Sequence, residues 1–163
     1  MPITYKPEIG SLSEVPNGAW YSTAAQNSTA TNTEYIVTVN NTTFERGIRV
    51  VDGSKFTVDH SGLFFLMFSA QVYNSDGGGN SAAMEIWLKK NGTAVPYTGG
   101  RLSVTPNHPY AIPAWNYYIP LVVGDYLQLA WDTNTAGINL IPNTAIVPGS
   151  EIPSVIVTMT QVG

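Results

Sequence analysis

The sequence predicts an all-β domain, and three observations carry that reading. Short runs of Val, Ile, Thr and aromatic residues recur along nearly the whole chain, separated by Gly, Pro and Asn turn signals. No window of helical length shows apolar residues at three-and-four spacing without a Gly or Pro inside it. About ten such runs at regular intervals argue for a sandwich or a barrel.

Taken in order, "GAWYSTA" opens the domain and "EYIVTVN" alternates from Glu34 to Asn40. "TFERGIRVV" and "KFTVDH" flank the turn signal Asp52-Gly53. Next come "GLFFLMFSAQVYN", the glycine-rich stretch "SDGGGN" and "AAMEIWLKK", which leads into the turn Asn91-Gly92. "AIPAWNYYIPLV", "DYLQLAWDT" and "IPSVIVTMTQV" complete the set. Residues 1–16 carry Pro2, Pro7 and Pro16 and no apolar core, so they read as an extended arm ahead of a single domain over 17–163.

Composition restricts function. The 163 residues, 44% hydrophobic and 11% charged, suit one core without staples. Cysteine is absent, which excludes disulfides, thiolate zinc sites and thiol nucleophiles. A net charge of -4 lacks the basic footprint that phosphate backbones require, so no nucleic-acid partner is expected. The longest apolar run falls well short of the roughly 20 residues of a membrane-spanning helix, and no membrane insertion is expected.

Strand phase shows which faces are hidden. From Gly62, one face carries Phe64, Leu66, Phe68, Ala70 and Val72, and the other Leu63, Phe65, Met67, Ser69, Gln71 and Tyr73. A sheet with one wet face should be polar on its second side. Here the second side begins with three large apolar residues. The pattern recurs in Trp115, Tyr117, Ile119 and Leu121 against Ala114, Asn116, Tyr118 and Pro120. Such a surface is covered by a second copy of the chain, by a loop or by the arm.

"GLFFLMFSAQVY", "EIWLKKNGTAVP", "AWNYYIPLVVGDYLQLAW" and "IPSVIVTMTQV" follow one another in an order that resembles jelly-roll domains of the tumour-necrosis-factor-like and complement globular-head type. The short versions in tailed-phage structural proteins are especially similar. The resemblance spans Gly18 to Val162, with Gly62 two before an aromatic, the Lys-Asn-Gly hairpin at 90–92, Gly124-Asp125-Tyr126 entering a penultimate strand and Pro153-Ser154 entering the last. It implies a ten-stranded jelly-roll sandwich that forms a homotrimer with one sheet facing the three-fold axis. Carried over by position, the axis-side candidates are Phe65, Met67, Ser69, Asn116 and Tyr118. No Gly-X-Y stalk precedes the domain, unlike complement-type proteins.

The resemblance also sets Trp87 on the outward sheet, beside the strand of Tyr126 and Gln128, with Ile86, Leu88, Leu127, Leu129 and Trp131 in the core. Trp87 then either stacks on Tyr126 and the stem of Lys89, or forms with Tyr126 an outer aromatic patch for a glycan or a protein.

Catalytic patterns are lacking, and no enzyme activity and no cofactor are expected. Asp59-His60-Ser61 places triad residue types side by side, but consecutive strand side chains point to opposite faces. His108 sits alone in "PNHPY". Asp76 and Asn80 are too few for a calcium site, and the sequons at Asn27, Asn40, Asn41 and Asn91 carry little weight in a Thr- and Asn-rich chain.

Two functions stay open. One is a trimeric decoration or cement protein on the capsid surface of a tailed-phage virion, partnered by itself and by the major capsid protein or another virion protein. Its arm would dock through Ile3, Tyr5, Pro7, Ile9 and Leu12. The other is the receptor-binding tip of a fibre that binds host surface glycan. A chain that starts on Met1 with no shaft favours decoration.

Overall fold

A computed structural model describes residues 15–76, 82–143 and 149–163. It is all-β. In chain order the strands are β1 (Asn17–Ser22), β2 (Gln26–Asn27), β3 (Tyr35–Ile36), β4 (Asn41–Arg46), β5 (Ile48–Val51) and β6 (Lys55–Val58). Then follow β7 (Gly62–Ala70), β8 (Val72–Asn74), β9 (Ala82–Lys90), β10 (Thr93–Ala94) and β11 (Gly100–Val104). The last are β12 (Tyr110–Ala111), β13 (Ala114–Leu121), β14 (Tyr126–Thr133), β15 (Ile138–Leu140) and β16 (Val155–Gln161).

One layer is a five-stranded sheet in the order β13-β7-β16-β1-β4. The other runs β10-β9-β14-β6-β5, with β11 added on β9 and β3 on β14, which makes seven strands. A four-stranded sheet, β12-β8-β15-β2, closes one end. The expected ten strands thus become sixteen among the described residues, because several predicted runs change sheets midway. "GLFFLMFSAQVYN" breaks at Gln71, whose N–H still bonds Ser154 O in register with β16 while its carbonyl accepts the Ile141 N–H just after β15, and its two halves join different sheets. "TFERGIRVV" breaks at Gly47, where φ is +62°. "EYIVTVN" pairs only at Tyr35 and Ile36, and β15 intervenes between β14 and the last strand.

The core follows the predicted phase. Phe64, Leu66, Phe68 and Ala70 point inward from β7, Met84, Ile86 and Leu88 from β9, and Leu127, Leu129 and Trp131 from β14; all are buried. Trp20, from β1, packs its ring on Phe56 at 5.2 Å and donates its indole N–H to Glu45. The layers are also tied at one edge. Trp115 donates to the Tyr117 hydroxyl, which donates in turn to Thr98 O at 3.0 Å. Gly100 lies under the Trp115 ring, where an added Cβ would sit 2.7 Å from the nearest ring carbon. Two predicted hairpin turns have the backbone they need, since Asp52-Gly53 and Asn91-Gly92 have positive φ at both positions.

Candidate functional site

The outward side of the five-stranded sheet is the surface that strand phase singled out. β13 and β7 pair antiparallel with Tyr118 opposite Phe65, Asn116 opposite Met67 and Ala114 opposite Ser69. All five residues expected on the axis side therefore share one face of two adjacent strands. The Phe65 and Tyr118 rings meet at 5.0 Å between centroids.

The same rows continue across the sheet. Met67 lies beside Thr158 of β16, which faces Ala19 of β1, itself opposite Phe44 of β4. Met67 remains 45% exposed in the single chain, Tyr118 65%, Phe44 51%, Ile156 42% and Leu63 39%. Between the strands lies a shallow depression of about 190 Å³, lined by Met67, Phe68, Ser69, Ala114, Ile156 and Thr158. Ile156 and Phe44 were missed at the sequence level. The alternation Ile156, Thr158, Thr160 was legible; Phe44 depends on the β1–β4 pairing, which a β-bulge interrupts between Ala19 and Trp20.

Charge separates the two sheets. The outward positions of β13, β7 and β16 hold Ala, Asn, Tyr, Pro, Leu, Phe, Met, Ser, Ile and Thr, and no Asp, Glu, Lys, Arg or His; the charged residues of this sheet, Glu45 and Arg46, stand at the end of the far edge strand β4. The ion pairs of the described residues are Arg49–Asp59, Lys55–Asp52, Lys89–Glu34, Lys90–Asp125 and Arg101–Glu85. Every one belongs to the seven-stranded sheet or its adjoining turns. Depletion of charge within an apolar patch marks the core of a protein interface, whereas a solvated sheet carries charges.

The other candidate residues fall elsewhere. Ile3, Tyr5, Pro7, Ile9 and Leu12 lie outside the described residues, as does Asn80. Trp87 and Tyr126 do not form a patch. Trp87 pairs with Ala130, four residues along β14 from Tyr126, which is about 13 Å of strand. Tyr126 instead lies under Lys55 Nζ, 5.7 Å from the ring centroid. Trp87 is half-buried in a row with Ala130, and Gly99 on its other side would bring a Cβ only to 4.0 Å. The small neighbours let the ring settle against the sheet. Lys89 is committed to Glu34 rather than to Trp87.

No catalytic relay is assembled at Asp59-His60-Ser61. Asp59 is paired with Arg49, and the Ser61 hydroxyl accepts the Val123 N–H at 3.0 Å. Among the described residues no three His, Cys, Asp or Glu side chains converge to hold a metal ion. Burial raises the pKa of the Tyr117 hydroxyl, consistent with a structural tie between layers.

No protein-family model matches the sequence, and no curated protein matches it. Solved structures do match in shape. A crystal structure of murine APRIL at pH 5.0 superposes with a TM-score of 0.60 at 10% identity, and one at pH 8.5 with 0.57 at 9%. Each match covers 91% of this chain and 99% of the APRIL chain. At that identity the likeness speaks to fold alone: the fold is an all-β jelly roll, tumour-necrosis-factor-like in shape.

Proposed function

We propose that this protein is a non-enzymatic structural protein that closes its five-stranded sheet against copies of itself, as a homotrimer, and decorates the capsid of a tailed phage. The observation that carries self-association is the charge-free outward face of β13, β7 and β16, with Met67, Tyr118 and Leu63 exposed on it. Burial against a second copy removes that surface from water, which is the dominant driving force for association. The three-fold number and the capsid location rest on the sequence resemblance to phage jelly rolls. A trimer bridging several shell subunits would resist expansion by the packaged genome, and three weak arm contacts would act together.

The test removes the arm. Pro16 is buried and its carbonyl accepts the Gln161 N–H at 2.8 Å, so the cut belongs before Val15. A chain lacking residues 1–14 should keep its oligomeric state and lose binding to purified shells. Retained shell binding removes the arm from the account. A second reading, a glycan-binding fibre tip, draws on the opposite sheet, which stays open to solvent when the apolar face is covered.

A further inference from the structure

The seven-stranded sheet breaks a pairing rule at one place. Arg101 of β11, Glu85 of β9 and Asp132 of β14 lie side by side in register, with the two carboxylates directly opposite each other. Like charges at opposed positions destabilise a sheet. Arg101 forks onto Glu85 Oε1 through two nitrogens and leaves Asp132 without a hydrogen-bonding partner among the described residues. Burial, then the Glu85 charge, raises the Asp132 pKa. The nearby Arg101 charge offsets only part of this, and sites that strain a local rule are where function is expected.

A polar pocket of about 170 Å³ opens over this row, lined by Asn32, Ala83, Glu85, Arg101, Asp132 and Asn134. Its rim is held in place. Asn134 accepts the Ala83 N–H on Oδ1 at 2.8 Å and donates its own N–H to Ala83 O, which leaves its amide NH₂ pointing to no other group. The Asn32 N–H is bonded to Thr133 O and its side-chain amide is unengaged. The pocket therefore offers unused acceptors on Asp132 and Glu85 beside unused donors on Asn32, Asn134 and Arg101. Trp87, two residues along β9 from Glu85 and on the side away from Ala83, lies outside this lining.

We propose that this pocket binds a neutral monosaccharide unit. Vicinal hydroxyls each donate and accept, so they can satisfy Asp132 and Glu85 while receiving from the two asparagines and Arg101. An anion meets two carboxylates. A metal ion finds Glu85 occupied by Arg101 and no cluster of three ligating side chains. A flat apolar ligand finds polar walls. The site lies on the sheet opposite the apolar face and does not depend on how the chain assembles.

The experiment titrates ¹⁵N-labelled full chain with D-glucose, D-galactose, D-mannose and N-acetylglucosamine, each to about 100 mM, since a single sugar contact is of millimolar strength. At least one sugar should give saturable shifts at Asn32, Ala83, Arg101 and Asn134. Asp132→Asn should weaken binding at least tenfold while raising the melting temperature, because it removes the like-charge contact. Asn32→Ala should weaken binding with the oligomeric state unchanged. Absence of saturable shifts with all four sugars overturns the proposal. So does binding untouched by Asp132→Asn, or a pocket that responds to spermidine or calcium and to no sugar.

Discussion

Replacing Met67 by aspartate tests the self-association surface at its centre. Full burial of a methionine is about 1.5–3 kcal/mol, and Met67 keeps 45% of its surface exposed in the single chain, so covering it contributes about 1 kcal/mol per copy. Symmetry repeats the contact in every subunit. Met67→Ala in a trimer should therefore cost about 3 kcal/mol, which is about a hundredfold in the assembly constant. Met67→Asp adds the desolvation of a carboxylate at each contact, several kcal/mol per copy, and should give single chains at micromolar concentration.

The same change should leave the fold of the separated chain alone. Met67 points away from the core, between Asn116 and Thr158 on the neighbouring strands, and a partly exposed substitution there stays within about 0.5 kcal/mol. Sedimentation velocity reads the assembly and urea unfolding reads the fold. As a control, Arg49→Ala on the other sheet should leave sedimentation unchanged. The reasoning is refuted if the wild type sediments as a single chain at micromolar concentration, or if Met67→Asp sediments as the wild type does.

Two further outcomes follow from local chemistry. Asp125 is held down to a pKa of about 2 by Lys90, then by the Val122 N–H and the Asn91 amide. The folded carboxyl holds its proton less tightly than the unfolded one, so the contribution is complete above the ordinary value of 3.8 and fades as pH falls through about 2. Discounted for solvent screening at this rim position it is about 1 kcal/mol, so Asp125→Asn should lower urea stability at neutral pH and lose its effect in acid. Tyr97 is fully exposed at φ +62°, in a turn after Pro96 where glycine is preferred. Tyr97→Gly should raise thermal stability by up to about 1 kcal/mol; a loss would mean that the ring is packed.

Much of the architecture was legible because a period of two is a strong signal when one face is dry. The alternation over Gly62 to Ala70 gave both faces of β7 correctly, and Asn91-Gly92 and Asp52-Gly53 gave two turns. The break at Gln71 was not legible. Nothing in "SAQVYN" announces that the Gln71 N–H stays with Ser154 O beside β16 while its carbonyl turns to the Ile141 N–H, a partner 70 residues away. The assumed pairing of Trp87 with Tyr126 failed on register. Asn91 N–H bonds to Tyr126 O at the hairpin end, which puts Tyr126 beside the turn and Trp87 well along the strand. The polar pocket was invisible for the same reason, since Asn32, Glu85, Arg101 and Asp132 meet only through long-range pairing.

The two sheets differ in a way that bears on both proposals. Ion pairs along β5, β6, β9 and β11 keep the seven-stranded sheet hydrated, so it is poorly suited to be buried against a copy. The outward face of β13, β7 and β16 in the five-stranded sheet has the opposite character, with charge confined to Glu45 and Arg46 on the edge strand β4. An assembly that hides the second necessarily turns the first outward, with one pocket around Asp132 per subunit. A single sugar site of millimolar strength would be too weak to hold a particle on a surface, but the three rigidly spaced copies of the proposed trimer would raise the effective concentration of the second and third contacts. The prediction is that sugar-coated beads retain the wild-type assembly and release Met67→Asp chains, although each chain keeps an intact pocket. Equal retention of both would show that a lone pocket suffices and that the two faces are not coupled through assembly.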